Sequence, residues 1–341
     1  MTYRVEDQSV LLTFYKRLLW DRLTPRIPAT ITPNTLTLAG QIFGVLSAVA
    51  CAIAVNGHRS FYVISAFCMM ANLTLDNLDG AHARRTGQCS RRGELLDHGL
   101  DGIATTSVLV VTGLLLHLGD VLLGVFCALG ALTFASIFWE QFRTGLLTIP
   151  KVGPTEGITA LAIWEILVAV LGETAWLQFS LERVTPGTVV VVIVVLVHAV
   201  AIAPPFFRAA KNGVPGWEVA PLFVVVALQL GFILLGARGI VPAVTMGLMG
   251  AATTCHMIVL RHRGERGPVV PRALYVAALP LVLVIFTPHT AAATGGALLA
   301  LVLVAAGYGL TLWRGWRLLG AERPFVKAAA PQLDPVGDPF R

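Results

Sequence analysis

Ten apolar runs constrain this chain more than any other feature. They lie at 35–56, 61–78, 99–117, 120–141, 157–172, 186–204, 217–236, 239–260, 269–288 and 291–313. Each is near the ~20 residues that cross a hydrocarbon core as a helix. The shortest, 157–172, contains Trp164 and Glu165. Hydrophobic residues make up 56% of the chain and charged ones only 13%, against ~25% charged in an ordinary soluble domain. A soluble core cannot hide that much apolar surface, whereas a bilayer can. The fold class is therefore all-α, a polytopic transmembrane helix bundle of about ten spans.

Charge then orients the bundle. With ten spans and the N-terminus inside, 22 of the 25 Lys and Arg fall in inside segments, leaving Arg59, Arg183 and Arg238 outside. That asymmetry follows the positive-inside rule and puts both termini in the cytoplasm. The net charge of +6 sits between apolar runs, so a membrane surface explains it and a nucleic-acid partner is not expected. The five cysteines (Cys51, Cys68, Cys89, Cys127, Cys255) show no paired spacing and read as small core residues. A charged start without a small-residue cleavage site argues against a cleavable signal peptide. Residues 8–24 read as an amphipathic helix lying in the interface, with Leu11, Tyr15, Leu18 and Leu19 on one side. Gly40 and Gly44 form a GxxxG suited to close helix packing. The Pro-rich tail after about 318 reads as poorly ordered.

Acidic residues are costly at membrane depth and are functional candidates by default. Here Asp76, Asp79, Asp97 and Asp101 lie at or near the ends of apolar runs. Asp76 and Asp79 are i,i+3 and share a helix face; Glu94, Asp97, His98 and Asp101 form a second stripe. If the two faces meet, four or five carboxylates converge, and protons or cations must share the site. Carboxylate clusters suit hard cations such as Mg²⁺, which also binds phosphate oxygens. Gly80 and Ala83 leave room for a ligand beside the helix, and Arg84 offers a planar fork to phosphate. Metal-assisted chemistry on a phosphate ester or anhydride at the cytoplasmic membrane edge follows. Taken singly, several residues have plainer roles. Asp101 would cap the third span, Arg85, Arg91 and Arg92 would be a positive-inside loop, and His82 would be a loop residue. His198, His256 and His289 read as core or interfacial histidines.

The pattern D-x2-D-G-x2-A-R-x8-G-x3-D-x3-D is filled at Asp76, Asp79, Gly80, Ala83, Arg84, Gly93, Asp97 and Asp101. A chance match is roughly one in 10¹⁰ per start site. It resembles the CDP-alcohol phosphotransferase family. More narrowly, Ala83-Arg84-Arg85-Thr86-Gly87, Gly93-Glu94-Leu95-Leu96-Asp97-His98-Gly99 and Pro33-Asn34-Thr35-Leu36-Thr37 look like its choline/ethanolamine branch.

The resemblance implies a six-helix catalytic unit over 35–204, after a cytoplasmic segment 1–34 and before four further spans in 205–317 and a tail 318–341. It implies two Mg²⁺ ions, with Mn²⁺ an alternative, on Asp76, Asp79, Asp97 and Asp101. Asn34, Gly80, Ala83, Arg84 and Gly93 would line the CDP site. The substrates would be a CDP-linked alcohol and a lipid acceptor, and the assembly a homodimer. The membrane would be a bacterial inner membrane, or endoplasmic reticulum or Golgi. Asp101 is the family's usual base. In this branch His98, oriented by Glu94, competes for the role, because an imidazole titrates near neutral pH. The later spans would enclose a chamber for a two-tailed acceptor. Two alternatives stay open. A CDP-diacylglycerol-dependent relative would exchange donor and acceptor and use Arg143, Lys151, Arg208 and Lys211 for a polar head group. A transporter is the remoter one.

Overall fold

Capping residues set where the helices begin and end. Thr32 accepts from the Thr35 amide and precedes Pro33, whose missing N–H suits a first turn. Ser90 accepts from the Gly93 amide at 2.9 Å and starts the next motif helix at Arg91. Gly87 and Gly145 close helices in left-handed conformations, at φ 70° and 75°, where a side chain would be strained.

A computed structural model describes residues 4–173, 182, 184–286 and 290–320. Among these, nine helices are long and apolar enough to cross a membrane. They are α1 (Pro33–Ala54), α2 (Phe61–Thr86), α3 (Arg91–Leu115), α4 (Asp120–Thr144), α5 (Pro154–Leu171), α6 (Pro186–Lys211), α7 (Gly216–Leu234), α8 (Val241–Arg263) and α9 (Thr290–Gly320). The chain is an all-α multi-pass membrane protein. The readings of Arg183, His289 and the tail beyond 320 lie outside the described residues.

Several boundaries differ from the apolar runs. Helix α2 continues to Thr86 and α3 starts at Arg91, so the acidic residues stand inside helices. Asp101 is therefore three turns into α3 and is not a cap, and His82 is a helix residue. Polar residues at the bilayer edge keep helical hydrogen bonds while losing the hydrophobic signal. The run at 269–288 holds two short helices, Arg272–Val276 and Leu279–Ile285, the second with Pro280 in its first turn. Apolar composition alone cannot show such a break.

The amphipathic segment begins later than its pattern implies. Arg4–Asp7 is a strand, β1, paired in parallel with β2 (Leu146–Ile149). Glu156 holds the following residues, accepting from Ser9 Oγ at 2.7 Å and from the Leu11 amide at 2.8 Å. Helix starts at Leu12, with a π turn over Lys16–Trp20. The π turn rotates the face: Trp20 is buried and Leu18 is exposed, against the expected side.

The packing order matters for the site. Helix α1 packs on both α2 and α3, while α2 and α3 touch each other little, so a cleft separates the two motif helices. Helix α8 packs on α3, α4 and α9. Its most apolar stretch is 83% buried, against 11% for α6, which makes α8 central and α6 peripheral. Small residues allow its close approach. A Cβ on Gly102 of α3 would lie 2.2 Å from Ala251 Cβ and 2.6 Å from Ala251 Cα on α8. Backbone cannot yield as a flexible side-chain end does. Overpacking costs about 1–3 kcal/mol and occasionally more, so Gly102→Leu is expected at or above the top of that range. Its Tm in detergent should fall by many degrees. Gly157→Ala, where a Cβ would meet nothing within 4 Å, should leave Tm unchanged. An unaltered melting curve for Gly102→Leu would refute the close α3–α8 contact.

Candidate active site

The cleft between α2 and α3 gathers the four aspartates. Asp76 and Asp79 come from α2, Asp97 and Asp101 from α3, and the four carboxyls are mutual neighbours. Asp76 and Asp101 are neighbours across the cleft. Asp79 is 3% exposed, and Thr37 of α1 donates its hydroxyl to Asp79 Oδ2. Thr37 thus ties the third helix of the site to the carboxylates. It stood only as part of a resemblance motif in the sequence, because nothing local reveals a partner 42 residues away.

His98 sits at the centre of the α3 stripe. Its Nδ1 lies 3.3 Å from Asp101 Oδ2 and 3.9 Å from Asp97 Oδ2. Ligand atoms of Asp97, His98 and Asp101 all fall within 4.8 Å of one another. The ring packs against Phe138 of α4, centroids 5.4 Å apart, which gives the imidazole one apolar wall. Glu94, expected beside His98, gives both carboxylate oxygens to α8. Arg261 donates to Oε1, and His262 Nε2 lies 3.0 Å from Oε2.

The residues expected on the nucleotide side come from three helices, Asn34 from α1, Gly80, Ala83 and Arg84 from α2, and Gly93 from α3. A Cβ on Gly93 would sit 3.5 Å from Asn34 Oδ1, so the first turns of α1 and α3 meet there. Arg84 folds over Gly80, its Nη1 lying 3.3 Å from where a Cβ would be. Arg84 is exposed and Ala83 partly buried. The neighbouring basic residues do other work. His82 is bound to the Ile31 carbonyl at 2.8 Å, and Arg85 donates to the Pro25 carbonyl at 3.3 Å and to that of Ile27. They fasten residues 25–31 to α2.

The donor set fits a hard divalent cation. Four neighbouring carboxylates from two helices are an oxygen-rich set of the kind Mg²⁺ and Mn²⁺ select. Such a site can bind a diphosphate and neutralise charge that develops during its cleavage.

Residues 30–197 match the CDP-alcohol phosphatidyltransferase family. That stretch takes in α1 to α5, part of α6 and the whole aspartate pattern. Individual relatives are similar over about half of the chain. Cholinephosphotransferase 1 of Gallus gallus is 32% identical over 164 residues, 46% of this chain and 49% of that protein. Cholinephosphotransferase 1 of Homo sapiens is 33% identical over 167 residues, 47% of this chain and 41% of that protein. Choline/ethanolaminephosphotransferase 1 of Saccharomyces cerevisiae is 28% identical over 198 residues, 55% and 50% respectively. The chain thus spans about half the length of the curated relatives it matches.

Proposed function

We propose that this chain transfers phosphocholine or phosphoethanolamine from CDP-choline or CDP-ethanolamine to the hydroxyl of diacylglycerol or an ether analogue, releasing CMP. The observation that carries this reading is His98 set between Asp97 and Asp101 within the four-carboxylate cluster. It is supported by the names of the relatives and by the Gly93–Gly99 resemblance.

Two Mg²⁺ ions, held by Asp76, Asp79, Asp97 and Asp101, would clamp the donor's diphosphate and offset its charge. Gly80, Ala83, Arg84, Asn34 and Gly93 line the nucleotide side. The acceptor oxygen forms a bond to the phosphorus that bears the head group, and the bond from that phosphorus to the CMP oxygen breaks. Transfer of this kind rests on positioning, neutralisation and an outlet for one proton. His98 supplies the outlet. Its Nδ1 lies 3.3 Å from Asp101 Oδ2, and a neutral ring that donated Nδ1–H to that oxygen would take up the proton at Nε2. Asp101 orients the ring and is the competing base.

The site faces the cytoplasm in this reading, on the same side as both termini, and α1–α6 act as the catalytic unit within a homodimer. The spans after residue 204 form the chamber for the lipid acceptor. The CDP-diacylglycerol reading asks for cations turned toward the site. Two of the four candidates are already engaged: Arg143 with Glu218 at 2.6 Å and Arg208 with Glu140, one contact at 2.7 Å. Lys151 and Lys211 are exposed.

Label transfer distinguishes the two readings. With CDP-choline or CDP-ethanolamine labelled in the head group, plus diacylglycerol and Mg²⁺, label should enter the lipid phase. Incorporation only when CDP-diacylglycerol is given with a polar alcohol would reverse the donor and reject the proposal.

A further inference from the structure

Helix α8 lies beyond the stretch matched to the family, yet its last turn reaches the first turn of the catalytic helix. Arg261 donates to Glu94 Oε1, and His262 Nε2 lies 3.0 Å from Glu94 Oε2. The Arg261 and His262 side chains are each 6% exposed and Glu94 18%. A charged pair shielded from water is screened far less than a surface pair, and a charge-assisted hydrogen bond to one oxygen, with a second basic side chain 3.0 Å from the other, holds the carboxylate in place. Glu94 stands one turn before Asp97 and His98 and two turns before Asp101 on the same stripe of α3. Its placement therefore sets the height and rotation at which those three side chains enter the cleft.

Two other contacts act in the same direction. Tyr308 of α9 donates its hydroxyl to the Gly99 carbonyl, between His98 and Asp101. Gly102, one residue past Asp101, lies against the Ala251 backbone of α8. Helix α3 is thus gripped by the later helices along the segment that carries the site. On the opposite side, α2 makes few contacts with it.

We infer that Arg261 and His262 are positioning residues of the phosphotransfer site, acting through Glu94 to hold α3 in register with Asp76 and Asp79 on α2. Glu94 then serves as the handle by which α8 holds the catalytic helix. This rests on the proposed metal-dependent transfer, so its test includes a readout that needs no turnover.

Partners that orient metal ligands typically contribute 10–100-fold in metal affinity or activity. Arg261→Ala, in protein that remains monodisperse in detergent, is expected to lower kcat about 10–100-fold. At saturating Mg²⁺, where the weakened metal site is filled, the donor KM should stay within about threefold. Mn²⁺ affinity, read by electron paramagnetic resonance of the resting protein, should fall about 10-fold or more. Arg261→Lys keeps the charge and should recover part of both losses. Glu94→Ala combined with Arg261→Ala should be no worse than either alone, since both remove one interaction. His262→Gln, which keeps a donor, should be milder than His262→Ala. If Arg261→Ala does not fold, Arg261→Lys and His262→Ala carry the same two readouts. Wild-type Mn²⁺ affinity and kcat in these variants would overturn the inference, as would multiplicative effects of Glu94→Ala and Arg261→Ala. Failure of the wild type to release CMP from any CDP donor, with Mn²⁺ affinity still lowered in Arg261→Ala, would reject the proposed function and leave the positioning intact.

Discussion

Asp97→Asn is expected to abolish transfer, with CMP release reduced at least ~10³-fold while the protein remains folded. The size follows from what the side chain does. Removing one preorganised electrostatic stabiliser from an active site typically costs about 10²–10³ in rate, and loss of a carboxylate removes both charge and a ligand atom. The amide has nearly the same shape, so packing around α3 should survive. The four carboxylates are electrostatic neighbours, so Asp79→Asn is expected to behave alike, and the two together no worse than either. Mg²⁺ titration separates this from a folding defect. Half-activation should move to higher concentration in any variant with residual turnover, while Tm without metal stays near that of the wild type. Normal turnover in Asp97→Asn would remove the metal site from the account.

His98→Ala should show a different signature. A positioned general base contributes about 10²–10⁴ in rate, so a loss in that range is expected with Mg²⁺ half-activation little changed. Loss of the ring also vacates the wall against Phe138, which predicts a modest fall in Tm. The comparison that decides between the two bases is Asp101→Asn. Its carboxyl neighbours Asp76 and faces His98, so its loss should disturb metal and ring together. If His98→Ala keeps activity within a few-fold while Asp101→Asn abolishes transfer with metal still bound, Asp101 is the base.

The membrane bundle and the four aspartates are legible from the residues, because apolar run length and i,i+3 spacing are local properties. The motif stripe Glu94, Asp97, His98, Asp101 lies on one helix as its periodicity requires. Helix ends are less legible. Polar turns at 79–86 and 91–98 carry no hydrophobic signal, although Ser90 and Gly87 mark their caps. The break at 277–278 is written only in Pro280 and in tertiary packing. The strand pair joins residues 4–7 to 146–149, and a four-residue strand has too little pattern to be seen. The partners of Glu94 are the clearest case. Spacing offers His98 at i+4, but the carboxylate turns to Arg261 and His262 more than 160 residues away. Charges at that separation pair by fold, and no local pattern announces it.

The most direct test of the central claim is CMP release by the purified wild-type protein supplied with CDP-choline or CDP-ethanolamine, diacylglycerol and Mg²⁺. The account predicts CMP in step with new phospholipid, arrested by EDTA and restored by excess Mg²⁺. CMP formation that continues unchanged in EDTA, or binding and passage of the donor with no CMP formed, would contradict it.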